Sequence, residues 1–236
     1  MTVTNRTLRL LDIASLVSFA AVWVALARRA AASPSLCGVG PQVLAPMVGY
    51  VLADFASGVM HWLGDRFFNE ATPVFGPAII RPFREHHRDP LALTRHGLLE
   101  LSGNSALACI PFLTAWIGVA KVSPNCTIVH FVSLVLLWGA LATLVTNHAH
   151  KWAHLERVPA AVRWLQRHHL LLSPAHHARH HAERHDRAYC VTTGWLNPIL
   201  DGLKFFGCLE WMALSAAALG RGLWKSAPLD GAQEQR

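Results

Sequence analysis

Charge is what this chain of 236 residues has least of. Asp, Glu, Lys and Arg together make up 15% of it, against about a quarter in an ordinary soluble domain. Hydrophobic residues reach 53% and the mean hydropathy is +0.30, so the composition argues for a membrane protein before any segment is read. Cysteine is sparse as well. The five cysteines (Cys37, Cys109, Cys126, Cys190 and Cys208) are scattered, with no CxxC pair. That spacing offers neither a disulfide framework nor a zinc ribbon, and the lack of CxxCH removes a covalently attached haem. No Gly-rich nucleotide loop and no Ser–His–Asp signature stands out.

Apolar runs are abundant. They cover about residues 11–27, 43–62, 101–120 and 122–147, each close to the roughly 20 residues that cross a hydrocarbon core. Inside that core only helices or closed barrels satisfy their backbone groups. The expectation is therefore an all-α integral membrane four-helix bundle forming a single domain over 1–236. The first run could pass for a signal peptide, but it lacks a clean small-residue cleavage site and is interrupted by Asp12, so it is read as a retained span. The piece from Phe205 to Gly220 is short and carries Glu210, which suits a docked or interfacial helix better than a fifth span. The tail 225–236 reads as loosely ordered.

Four spans place the termini and the loop between spans two and three on one side. All 21 Lys and Arg except Arg28, Arg29 and Lys121 fall there, which makes that side cytoplasmic by the positive-inside rule. The basic residues are thereby accounted for by topology, and nucleic-acid binding has no support.

Histidine is the one polar residue in excess: fifteen, more than the fourteen Asp and Glu together. Drawn on the topology, fourteen fall on the cytoplasmic side and only His130 falls at the opposite end. His61 closes span two, His86, His87 and His96 occupy the next loop, and the remainder follow span four. The expected architecture is a four-helix bundle with a cytoplasmic, His-rich helical cap over 148–204.

Spacing gives the histidines their chemistry. His150 and His154 are four apart, so on a helix both rings reach one metal ion. His176-His177-Ala-Arg-His180-His181 repeats the device with i+3 and i+4 pairs, and His181 with His185 adds another. A solvated helix face would use Lys, Glu or Arg instead. On span two, Asp54, His61 and Asp65 share a face. An intramembrane carboxylate is costly and needs a partner; Asp65 reads either as a ligand beside His61 or as the acceptor that fixes an imidazole tautomer. Imidazole suits zinc, copper, iron and nickel. A structural zinc needs only four ligands, so eight or more histidines suggest two metal ions. Two irons that activate O2 beside a bilayer would allow hydrogen removal from an unactivated CH2, which no acid or base side chain can do.

Longer segments carry a family likeness. Tyr50-Val-Leu-Ala-Asp-Phe-Ala-Ser-Gly-Val-Met-His61-Trp, Arg81-Pro-Phe-Arg-Glu-His86-His87-Arg-Asp-Pro, Thr94-Arg-His96, Thr146-Asn-His-Ala-His150-Lys-Trp-Ala-His154, His176-His177-Ala-Arg-His180-His181 and Tyr189-Cys-Val-Thr-Thr-Gly-Trp-Leu-Asn197 resemble, in order, the plasmanylethanolamine desaturase family with its bacterial CarF relatives and, more distantly, plant fatty acid desaturase 4. The resemblance spans roughly residues 45–210. It implies a membrane diiron desaturase that introduces a vinyl ether double bond into an ether phospholipid, giving a plasmalogen. It implies metal ligation by His61, Asp65, His86, His87, His150, His154, His177, His180 and His181, with less defined roles for His96, His169, His176 and His185. It also implies O2 as co-substrate and a separate electron donor, such as cytochrome b5 or ferredoxin with its reductase, because no flavin or haem module is recognisable here. The chain departs from the family pattern at His148, where Gln is expected, and at His168, where an aromatic is expected.

Arg81, Arg84, Arg88 and Arg95 lie near His86, His87 and His96, and their forks are candidates to hold a headgroup phosphate, although the positive-inside bias explains them equally well. Trp62, Trp152, Trp164 and Trp195 sit near membrane edges as anchors. Two rival readings remain. One is another diiron enzyme, an acyl-lipid desaturase or hydroxylase. The other is a metal transporter or sensor, which should carry ligands at the bilayer midplane, where spans three and four are bare.

Overall fold

The computed structural model describes residues 5–32, 39–72, 76, 80–123, 125–182 and 184–219. Among these the regular structure is entirely helical. In chain order the helices are α1 (Asn5–Ala31), α2 (Val39–Arg66), α3 (Arg81–Arg88), α4 (Leu98–Val122), α5 (Thr127–Ala153), α6 (Ala160–Arg167), α7 (Pro174–His177), α8 (Asn197–Gly202) and α9 (Phe205–Leu219), with a 3-10 turn over Ala92–Arg95. The tail 225–236 lies outside the described residues.

α1, α2, α4 and α5 are long and apolar enough to cross a membrane. Their outer faces expose large apolar side chains, among them Leu10, Val17, Met47, Phe112 and Ile128, a surface that only lipid can solvate without penalty. The chain is a multi-pass membrane protein. The four helices have 25 to 28 residues, so at about 1.5 Å per residue they outrun a core of roughly 30 Å. The surplus turns of α2 and α5 carry the histidines. The fourth span starts later than hydropathy suggests: the chain breaks at Ser123 and helix resumes at Thr127, since antiparallel neighbours need a turn between them. α5 then continues to Ala153, which takes His148 and His150 into regular helix.

α5 is the central helix, packed against α2, α4 and α1, and α1 also packs on α4. Phe19, Leu26, Leu113 and Leu137 fill the interior of this bundle. α2 and α5 cross where glycine meets glycine: a Cβ on Gly49 would lie 2.7 Å from the backbone nitrogen of Gly139. Backbone contact of this kind is how small residues bring membrane helices close. Beyond the crossing, the site ends of α2 and α5 receive the segment after α7. α9 has 15 residues, fewer than any of the four long helices. It docks on α2, Phe205 edge-on to Phe55 at 5.7 Å and Glu210 bound by two arms of Arg66.

Candidate metal centre

Four pieces of chain meet at one end of the bundle. The last turns of α2 present His61 and Asp65 one turn apart. α5 presents His150, and its C-cap residue is His154. α3 presents His86 and His87. The last contribution begins at α7, whose start is set by Ser173, which accepts a hydrogen bond from the His176 N–H, and by Pro174 in the first turn. His177, His180 and His181 follow on that helix and the turns after it.

The side chains converge into two adjoining pockets. In the first, ring nitrogens of His86, His150, His154, His177 and His181 lie within 4.8 Å of one another; in the second, those of His61, His86, His87 and His180 do so, and His86 belongs to both. The Asp65 carboxylate faces the second pocket, 3.3 Å from His180 Nε2, 3.5 Å from His61 Nε2 and 3.6 Å from His87 Nε2. All nine positions named for the ligand set are thus brought together, and His61, Asp65, His86, His150, His177 and His180 are buried.

Hydrogen bonding among the histidines does not account for this packing. His177 Nε2 has His150 Nε2 and His154 Nε2 at 2.9 Å and His181 Nε2 at 3.0 Å. One ring nitrogen carries either one N–H or one lone pair, so it cannot join three neighbours at once. Two nitrogens at right angles on a cation, each at about 2.1 Å, are about 3.0 Å apart, which matches the spacing. His61 Nδ1 and Nε2, His86 Nε2 and both Asp65 oxygens have no hydrogen-bond partner among the described residues, and buried polar atoms left so are expensive. The donors fit a pair of metal ions, and imidazole with carboxylate and no thiolate suits iron among others.

The neighbours prepare the rings for this. His180 Nδ1 donates to the Arg187 carbonyl at 2.7 Å, which leaves Nε2 as a lone pair turned into the site. Burial, reinforced by the neighbouring histidines, holds His86, His87 and His177 well below the ordinary histidine range, pushes His154 down to about 4 and His181 to about 3. These rings are neutral at pH 7, the form that binds metal.

Asp54 has the partner that its place inside a span demands. Its carboxylate accepts the backbone N–H groups of Thr193, Gly194 and Leu196 at 2.8, 2.9 and 3.2 Å. Non-helical backbone is thereby satisfied between helices, as it must be at such depth. Ser57 Oγ takes the Val191 N–H, and Thr146 and Thr192 join their hydroxyls. Gly194, at φ +77°, passes under the His176 ring, where a Cβ would sit 2.9 Å from Nε2. Asn197 then binds that nitrogen at 3.2 Å.

The remaining histidines stand outside both pockets. His176 is held by this loop. His185 stacks on His87, ring centres 4.2 Å apart. His96 pairs with Glu100 at 2.7 Å. His169 is exposed, at φ 57°. His148 points to α4 and shares a hydrogen bond with Ser102 at 2.9 Å, away from the centre; His168 lies against Trp164; His130 is buried in the first turns of α5, at the far end of that helix. Of the arginines, Arg84 donates to the Phe67 and Phe68 carbonyls, Arg88 pairs with Glu70 and Arg95 with Asp89; Arg81 is exposed. Tyr189 is a neighbour that spacing alone did not single out: it is buried, with its ring 5.2 Å from that of His180 and its hydroxyl donating to the His185 carbonyl. Asp201, which accepts the Ala188 N–H, had no signal at all.

The chain is similar to known proteins. The family model of the lipid desaturase domain matches residues 50–219. A plasmanylethanolamine desaturase of Myxococcus xanthus is 38% identical over 213 residues, which is 90% of this chain and 74% of that protein. Plasmanylethanolamine desaturase 1 of Mus musculus is 38% identical over 176 residues, 71% of this chain and 63% of its own. The chloroplastic fatty acid desaturase 4 of Arabidopsis thaliana is 35% identical over 170 residues, 71% of this chain and 50% of its own. No solved structure matches. A domain match over most of the chain, carrying every residue of the two histidine pockets, means that this protein belongs to the lipid desaturase family of membrane oxidoreductases.

Proposed function

We propose that the chain is a diiron desaturase that converts the 1-O-alkyl ether of plasmanylethanolamine into the vinyl ether of a plasmalogen. The observation that carries the reading is the pair of histidine pockets sharing His86, with Asp65 at their edge. The names of the Myxococcus and mouse relatives supply the substrate class. In this reading His150, His154, His177 and His181 hold one iron, His61, His87, His180 and Asp65 hold the other, and His86, which stands between them, gives its one free ring nitrogen to one of the two. When bound, the two irons supply the oxidising power, with O2 and two electrons, to remove two hydrogens from adjacent carbons and release water. The chain's own residues set the conditions. Neutral rings face inward, the Arg187 carbonyl fixes the tautomer of His180, and burial keeps bulk water out. The electrons come from a separate carrier of the cytochrome b5 or ferredoxin class with its reductase. Basic residues on the histidine side make that face cytoplasmic, in a bacterial inner membrane or, in a eukaryote, the endoplasmic reticulum.

The test is product formation. Expressed in cells that lack plasmalogens and are fed ether lipid, with a reductant present, the chain should yield vinyl ether phospholipids by mass spectrometry, and His180→Ala should abolish them. A well-expressed protein that makes none would sink the reading. Acyl double bonds in place of vinyl ethers would instead favour the acyl-lipid reading, which the plant relative's name supports.

A further inference from the structure

The arginines beside His86 are largely engaged with protein partners; those of α6 are placed otherwise. α6 buries Val162 against Ala149 of α5, with Leu165 and Trp152 packed alongside, and Gln166 binds the Leu172 carbonyl. Arg163, Trp164 and Arg167 are left on the outside. Together with Val158 and Ala160 they line a concavity of about 360 Å³. Among the described residues neither arginine has an ion-pair partner. Like charges one helical turn apart repel, and an anion between them removes the repulsion.

The surroundings say where that anion comes from. The Trp164 ring lies 4.5 Å from that of His168. The next carbonyl, of His169, accepts the indole N–H of Trp195, and Trp195 meets Tyr50 edge-on at 5.6 Å. Tyr50 belongs to α2, eleven residues before His61, or about 16 Å along the helix axis. This flank of the histidine cap therefore reaches down beside a membrane helix. It exposes Trp195 (41%), Ile199 (58%) and Leu203 (69%). Trp195, beside Tyr50 within the span, faces the acyl chains, whereas α6, packed on Ala149 and Trp152 at the end of α5, stands above it at headgroup level. The anion presented at that level is a phospholipid phosphate, which guanidinium forks bind by paired, charge-assisted hydrogen bonds.

We propose that the Arg163–Trp164–Arg167 concavity is a headgroup subsite, in which the two guanidinium groups hold the phosphate of a membrane phospholipid. Its role as a substrate subsite rests on the desaturase reading: the concavity includes Val158, four residues after His154, so a phosphate anchored there fixes which carbons of the attached chain reach the histidine pockets.

Binding is measured without turnover, by native mass spectrometry of the purified full chain titrated with dihexanoylphosphatidylethanolamine, dihexanoylglycerol or inorganic phosphate. The phospholipid should bind, with affinity weakened about ten-fold by Arg163→Gln or Arg167→Gln and further by the pair. Arg→Lys at both positions should retain part of the affinity, and dihexanoylglycerol should not respond to any variant. Metal content and melting temperature equal to those of the unsubstituted chain show that the variants are folded. Unchanged phospholipid affinity in the folded double variant overturns the proposal. Inorganic phosphate binding as tightly as the phospholipid, and lost in the same variants, makes this a free-phosphate site and also overturns it. Loss of phospholipid affinity in a protein that yields no desaturated product supports the subsite and removes the desaturase reading.

Discussion

His86 stands where the two pockets meet, with its Nε2, the ring nitrogen left without a hydrogen-bond partner, within reach of both. His86→Ala opens a gap at the boundary of both pockets and should therefore lower bound metal more than His154→Ala, which removes a ring inside one pocket. Metal analysis of the purified variants checks this; equal losses would show that the pockets do not share His86. The depressed titration of the other rings sets a pH dependence. In the metal-free protein His154 titrates near 4 and His181 near 3 because of burial, while in the unfolded chain histidine titrates near 6.5. As pH falls below 6.5 the unfolded state takes up protons first, so stability falls from there down toward 4 and then 3, and is unaffected by these groups above 6.5. The melting temperature of metal-free protein should drop between pH 7 and pH 5; a flat profile would contradict the neutral, buried rings. Spacing made His150 and His154 legible, as it did the His177–His181 run. It could not separate His176 from His177, neighbours in sequence, because only the fold shows one ring bound to Asn197 and the other turned into a pocket.

At the scale of elements, the joint between α2 and the 190–197 segment carries the design. Hydropathy marks Asp54 as an intramembrane acid in need of a partner, but no periodicity reveals that the partner is a set of three backbone N–H groups, those of Thr193, Gly194 and Leu196, in one loop about 140 residues away. Asp54→Asn keeps an acceptor for Thr193 and Gly194 but sets an amide NH2 against the Leu196 N–H. It should cost about 1–3 kcal/mol, seen as a lower melting temperature in nanodiscs; a melting temperature equal to that of the unsubstituted chain would mean that the loop is held elsewhere. The Gly49–Gly139 crossing is a second such joint. It fixes how α2 and α5 diverge, and hence that His61 and His150 face each other with ring centres 5.2 Å apart.

For the whole molecule, the histidine pockets tie α3 and the α7 segment, which otherwise touch the bundle little, to the ends of the closely packed α2 and α5. A cation that binds the folded arrangement and not the unfolded chain adds stability in proportion to the logarithm of its saturation, about 2.7 kcal/mol at a hundred times Kd. Chelation should thus lower the melting temperature of the purified protein, and readdition of metal should restore it. An unchanged melting curve in protein shown to lose its metal would mean that the fold holds the site ready-made. The amino-acid sequence by itself determined the helical membrane class, the four spans and the excess of histidine at one end, because hydropathy and i, i+4 spacing are local properties. It also held the family motifs in order. Only the tertiary structure decided which rings converge, that His86 is shared, that Asp54 secures the loop and that Arg84, Arg88 and Arg95 have protein partners while α6 turns two arginines outward. These depend on distances between segments far apart in the chain, which are set by how α2 and α5 cross and not by any residue's near neighbours.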